Sequence, residues 1–200
     1  RKEFLTLEDA TKNKFQIDWE NFEASKPKNL GAHSLLNFDL KILREYIDWT
    51  PFFMTWELAG KYPNILEDEV VGVEAKKLFE DANRLLDQII EEKWLTANAR
   101  FGVWPANTIN ENDIEIYSDE SKSEVLNIQH CLRQQTKKSA KAFNMSLADF
   151  VAPKESGKLD YVGGFVVTTG LGIEKKLAEF EADHDDYHSI MLKALADRLA

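Results

Sequence analysis

Cysteine is nearly absent: Cys131 is the one thiol in 200 residues, which excludes an internal disulfide and a zinc site built from cysteines. Long apolar runs are absent too. The longest, such as Val162 to Val167, fall far short of the roughly 20 residues that a membrane-crossing helix needs. The opening Arg1-Lys2-Glu3-Phe4 leads into charged sequence, so no secretory signal is legible. Cationic excess is missing as well. Twenty-five Lys and Arg stand against 35 Asp and Glu, for a net charge of −10, whereas a nucleic-acid face needs clustered basic residues. The one basic cluster, Arg133, Lys137, Lys138 and Lys141, reads as a solvated helix face. What is present suits a soluble globular chain. At 44% hydrophobic and 30% charged, 200 residues can fill a core of domain size, and the lone thiol fits a reducing, cytoplasmic setting.

Periodicity supplies the elements. Glu3 to Pro27 carries Phe4, Phe15, Trp19 and Phe22 without a clear period and reads as an arm with one short helix. Ala32 to Leu40 alternates as a strand, and Leu40, Leu43 and Ile47 have helical spacing. Asp48 and Thr50 precede Pro51, which suits a helix start, with the end expected near Gly60. Val71, Ala75, Leu78, Ala82, Leu85 and Ile89 mark a long amphipathic helix over 68–92. Glu67, Asp68 and Glu69 are expected in its first turn. Three short alternating segments follow, Arg100 to Trp104, Asp113 to Tyr117 and Val125 to Gln129, with turn-rich spacers between them. Such spacing predicts an antiparallel meander. Helix is expected over 132–143, a capped turn at Ser146 to Phe150, and a buried strand over 160–169. The last segment, 174–200, reads as one helix that runs off the end with no C-cap, so the chain is expected to be truncated there.

Chemistry is harder to find. His184 and His188 stand four residues apart, a spacing used by some zinc sites, but no third ligand is evident and no metal is assigned. Gly170-Leu171-Gly172 and Gly163-Gly164 match no phosphate-binding pattern. Asp48 lies among Ile47, Trp49, Phe52 and Phe53. A carboxylate in such company either caps its own helix or answers a cation, and local sequence favours the cap. No catalytic residue is legible from the pattern.

A series of strings nevertheless resembles a known family. They are Tyr46-Ile47-Asp48-Trp49-Thr50-Pro51-Phe52-Phe53-Met54-Thr55-Trp56, Leu58-Ala59-Gly60-Lys61-Tyr62-Pro63, Trp104-Pro105-Ala106-Asn107, Asp113-Ile114-Glu115-Ile116-Tyr117, Leu132-Arg133-Gln134-Gln135, Leu147-Ala148-Asp149-Phe150-Val151-Ala152-Pro153, Phe180-Glu181-Ala182-Asp183-His184-Asp185-Asp186-Tyr187 and Met191-Leu192-Lys193-Ala194-Leu195-Ala196-Asp197-Arg198-Leu199. In this order, over nearly everything after about Leu40, they resemble the activation domain of cobalamin-dependent methionine synthase, its N-terminal two-thirds.

The resemblance implies an α+β fold: a twisted antiparallel sheet with long flanking helices in a C-shaped or helmet-like domain, residues 1–200 being one incomplete copy. It implies that S-adenosylmethionine is held beside cobalamin. An electron from flavodoxin or a similar flavoprotein then supports reductive methylation of inactive cob(II)alamin. Asp48 is implied to contact the amino group of S-adenosylmethionine, in an apolar cleft. Asp197 and Glu174 fall in regions implied to face the cobalamin-binding domain. Cobalamin and zinc are expected on other domains of the parent methyltransferase. No Arg here is followed by the family's x-x-x-Gly-Tyr, so these residues alone are expected to bind S-adenosylmethionine weakly or not at all and to be inactive. Leu195 and Leu199 are expected to lie exposed and to promote self-association. The alternative is a docking module, for the cobalamin domain or flavodoxin, that does no cofactor work.

Overall fold

The computed structural model describes residues 3–139 and 141–200. By their contacts the residues form two compact units, Arg1–His33 with Phe101–Phe165, and Ser34–Arg100 with Val166–Ala200. Five strands form the sheet, β1 (Gly31–Phe38), β2 (Thr96–Ile109), β3 (Asp113–Tyr117), β4 (Val125–His130) and β5 (Asp160–Leu171). The order is β1-β2-β3-β4, and β5 pairs with β2. The expected meander is present: β2 and β3 pair antiparallel from Ala106↔Ile116 to Ile109↔Asp113, and β3 pairs antiparallel with β4 from Asp113↔His130.

In the first unit the arm carries helix α1 (Leu7–Lys12), started by the Thr6 hydroxyl on the Asp9 N–H. The arm then satisfies the segment expected to be helical over 132–143. Leu5 N–H donates to the Gln135 carbonyl at 2.8 Å and Lys137 N–H to the Glu3 carbonyl at 2.9 Å, while Gln134 N–H reaches the Met145 carbonyl. Backbone groups bonded to a distant segment cannot also close i→i−4 turns, so residues 134–137 are not helical and Phe4 bridges Thr136. A small core of Ala106, Ile114, Cys131, Ala148 and Val151 lies beneath. Phe15 packs on Phe150 and edge-on to Phe143. The Ser146 turn is capped as expected, with a reciprocal Ser146–Asp149 capping box.

The second unit holds the larger core and helices α2 (Leu40–Arg44), α3 (Trp49–Thr55), α4 (Gly72–Glu91), α5 (Ile173–Ala182) and α6 (Asp186–Arg198). The long helix has 20 residues, about 30 Å, and buries Ala75, Ala82, Leu86 and Ile89 completely. Each buried Leu or Ile contributes about 1.5–3 kcal/mol. It starts four residues later than its acids suggest. Asp68 accepts the Val70 and Val71 N–H groups at 2.9 and 3.0 Å, a local turn that competes with helix, and those bonds hold its carboxyl below the usual range. Helix α3 stops at Thr55 instead of near Gly60, because Glu57 turns left-handed.

Four further expectations are corrected. Strand β2 is not confined to Arg100–Trp104 but runs from Thr96 to Ile109. Pro105 stands one residue before the β3 pairing begins, so its missing N–H costs that ladder nothing. Strand β5 is not buried: Phe165 and Val166 are 77% and 74% exposed. The single C-terminal helix is two. Asp183 N–H closes α5 on the Glu179 carbonyl, His184 is left-handed at φ 55°, and Asp185 caps α6 through the His188 N–H at 3.0 Å. That break lets α6 turn Met191, Leu192, Leu195 and Leu199 into the core. Leu195 and Leu199 are 0% and 3% exposed, so they offer no surface for self-association. No helix among the described residues is long and apolar enough to cross a membrane.

Candidate functional site

The stretch around Asp48 sorts its residues by face. Trp49, Phe52 and Phe53 turn into the core of the second unit, where Trp49 meets Phe79 at 4.8 Å and Phe52 at 5.3 Å. Asp48, just outside the helix, has extended backbone and lies exposed. Its Oδ1 accepts the Thr50 N–H at 3.0 Å, the helix N-cap. The expectation of a carboxylate in an apolar cleft is therefore corrected: the apolar neighbours face inward and the acid faces water. Oδ2 has no partner among the described residues, so it can still accept a bond from a cationic donor.

Thr50 carries a second connection. Its hydroxyl accepts the Tyr62 N–H at 3.2 Å, tying the loop after α3 to the start of that helix. Leu58 N–H bonds the Phe53 carbonyl, and Ile65 N–H bonds the Lys61 carbonyl. A Cβ on Gly60 would sit 2.8 Å from Ile65, so only glycine fits where the loop closes over that buried side chain. Tyr62 then packs against Phe79 at 5.5 Å and Phe53 at 6.5 Å, with 38% of its surface exposed. A groove of about 740 Å³ in the same unit lies elsewhere, lined by Asn37 to Lys41, Ile90, Glu91, Lys93 and Leu95 to Ala97.

The first unit holds a polar network that sequence reasoning missed. Arg133 is no part of a solvated basic face. Its side chain is 0% exposed and pairs with Asp149, 2% exposed, through Nη2–Oδ1 at 2.6 Å and Nη1–Oδ2 at 2.8 Å. It also donates to the Glu111 and Asn144 carbonyls and to Asn112 Oδ1. Asn107, also fully buried, donates to the carbonyls of Ala152 and Lys158 and accepts from Lys122 Nζ. Burial holds the Lys122 amine below its ordinary range, with Lys154 adding to the effect. The Ser-x-x-Asp spacing of the capping box was a usable sign for Asp149. Nothing local marked Arg133 as its partner.

The sequence model described as vitamin B12 dependent methionine synthase, activation domain, matches residues 39–200. The chain belongs to this family. A solved structure, a crystal structure of the MetH reactivation domain bound to AdoHcy, is 54% identical with a TM-score of 0.91. The match covers 98% of this chain and 60% of that one. The α+β fold with its antiparallel strands is thus the fold of the methionine synthase activation domain.

Within this activation-domain chain, the remaining candidates are scattered. Glu174 lies exposed in the first turn of α5, and Asp197, exposed near the end of α6, pairs with Arg198. His184 is exposed in the turn, while His188 sits inside α6 with Nδ1 2.7 Å from Asp185 Oδ2. The helix break removes the one-turn register of the two imidazoles. Among the described residues no group of three His, Cys, Asp or Glu could hold a metal ion. Burial pushes the Cys131 thiol above its ordinary range, which disfavours a thiolate.

Proposed function

We propose that this chain is part of a reactivation domain that holds S-adenosylmethionine through the Asp48 carboxylate and presents its methyl group to cobalamin carried by a neighbouring domain. The supporting observation is the 54% identical reactivation domain bound to AdoHcy, the form of the ligand left after methyl donation. In this reading the enzyme is methionine synthase, a cytoplasmic methyltransferase. Flavodoxin or a similar flavoprotein supplies the electron, and cobalamin and zinc reside on other domains. Reductive methylation of the oxidised cobalamin is chemistry that the cofactor supplies.

The chain's own residues bind and orient. Asp48 Oδ1 stays on the Thr50 N–H while Oδ2 accepts a charge-assisted bond from the ligand's ammonium group. The cap fixes the carboxylate before the ligand arrives, so little ordering is left to occur on binding. Glu174 and Asp197 are proposed to face the cobalamin-binding domain, where two exposed acids set orientation more than affinity.

Amide NMR tests the reading. Millimolar S-adenosylmethionine should shift the Trp49 and Thr50 amides, because the Thr50 N–H shares the carboxylate that the ligand engages. Asp48→Asn should abolish that response. Shifts confined to residues 101–165, with Thr50 unmoved, would refute it.

A further inference from the structure

We propose that strand β4 is an interface between copies of this chain, pairing antiparallel with the β4 of a second copy about a two-fold axis at Ile128. The inference stands apart from the Asp48 reading. β4 closes the order β1-β2-β3-β4, so one of its edges bonds β3 and the other has no strand beside it. All six of its residues, Val125 to His130, are exposed. Among the described residues no backbone group outside the sheet bonds to them.

Alternation tells which residues face the free edge. Cys131 N–H reaches the Asn112 carbonyl at 2.8 Å, and in an antiparallel ladder successive residues turn their backbone groups to opposite sides. Gln129 therefore bonds β3, opposite Ile114, while Ile128 and His130 turn outward. The Ile128 N–H is met only by its own neighbour's side chain, Asn127 Oδ1 at 2.8 Å. Edge strands are ordinarily guarded by Lys, Pro or a bulge. Val125-Leu126-Asn127-Ile128-Gln129-His130 holds neither Lys nor Pro. The register shift at Tyr117↔Val125 leaves Asn127 to His130 regular.

This edge is complementary to itself. A two-fold centre has to fall on an outward residue, and Ile128 is the one that overlaps the whole strand. Ile128 then opposes Ile128 and exchanges two hydrogen bonds with it, Asn127 opposes Gln129, Leu126 opposes His130, and Val125 opposes Cys131. Beyond them Glu124 opposes Leu132, which is 95% exposed. No like charges meet, although the whole chain carries −10. Val125, Leu126 and Ile128, exposed on β4, gain cross-strand neighbours. A charged strand from another protein would find no countercharge along this one.

Sedimentation velocity of the full chain from about 10 µM to about 1 mM tests the pairing. Dimer should form with a dissociation constant on the order of 100 µM, in keeping with a single-strand interface. It should tighten several-fold between about 50 and about 500 mM salt, as the net charges are screened. Ile128→Lys should weaken it by at least about tenfold, with an unchanged circular-dichroism melt showing that the variant is folded. Ile128→Cys reads the two-fold directly. Its two copies would stand about 5.5 Å apart at Cα, within disulfide reach, so mild oxidation should give a covalent dimer. Gln129→Cys, which opposes Asn127, should give far less, and wild type, whose Cys131 opposes Val125, should give none. A chain still monomeric at the top concentration, a dimer indifferent to Ile128→Lys, or equal cross-linking at the two positions overturns the assignment.

Discussion

Replacing Arg133 by leucine should destabilise the chain by about 3–5 kcal/mol, because it strands a buried carboxylate. The native guanidinium makes five bonds, two to Asp149 and one each to Asn112, Glu111 and Asn144. In Arg133→Leu the Asp149 side chain keeps only the Ser146 N–H at 2.9 Å, with 2% of its surface exposed and no cation. At roughly 2–4 °C per kcal/mol for a chain of this size, the melting temperature should fall by about 6–20 °C. Urea denaturation followed by circular dichroism reads the loss, and hydrogen exchange at Ile114 and Cys131 shows whether it centres on the first unit. Arg133→Leu with Asp149→Leu should recover most of the deficit, since apolar replacement of both partners leaves no unpaired charge. A single variant within about 1 kcal/mol of wild type would refute the reasoning, because a desolvated unpaired acid has to cost more than that.

Glu115 offers a pH test. Bonds from Lys154 and Tyr117 hold its carboxyl below the usual range, so its contribution is complete above the unfolded value of about 4.3 and is lost as pH falls through the lower folded value. Glu115→Gln should be less stable than wild type at neutral pH, and denaturation at pH 3 should show the gap narrowing. Gly102→Ala should cost about 1–3 kcal/mol, read by thermal melting, since a Cβ there would lie 2.4 Å from the Trp104 ring and 2.8 Å from the Gly31 carbonyl. Titration calorimetry of these 200 residues with S-adenosylmethionine should show weak binding or none. A dissociation constant near or below about 1 µM, roughly −8 kcal/mol, would contradict the dependence on an Arg-x-x-x-Gly-Tyr segment.

Local pattern carried the reading a long way where short-range rules decide the outcome. The α4 stripe from Ala75 to Ile89, the β3 and β4 segments and the Ser146 turn follow from periodicity and capping within a dozen residues. It failed where distant partners intervene. Residues 132–143 read as a helix, yet the Glu3 and Leu5 backbone groups claim those of Lys137 and Gln135. His184 fits an apolar stripe on paper, but the bonds from Asp183 and Asp185 end one helix and start another. For the candidate site, residue pattern alone named the N-cap role of Asp48, and the structure places that cap. The ligand came only through family resemblance, and Tyr62 was invisible because its tie to Thr50 spans 12 residues and a loop.

The interleaving of the two units along the chain has a consequence for synthesis. The first 33 residues belong with 101–165, and 34–100 with 166–200, so neither unit is encoded as one uninterrupted stretch. Emerging from a ribosome at about 5–20 residues per second, the aromatic arm has no lasting mate until a further 67 residues have passed. Cutting the gene at any point within residues 34–165 separates parts of both units, and a chaperone that shields Phe4, Phe15 and Trp19 during that delay would raise the yield of native protein.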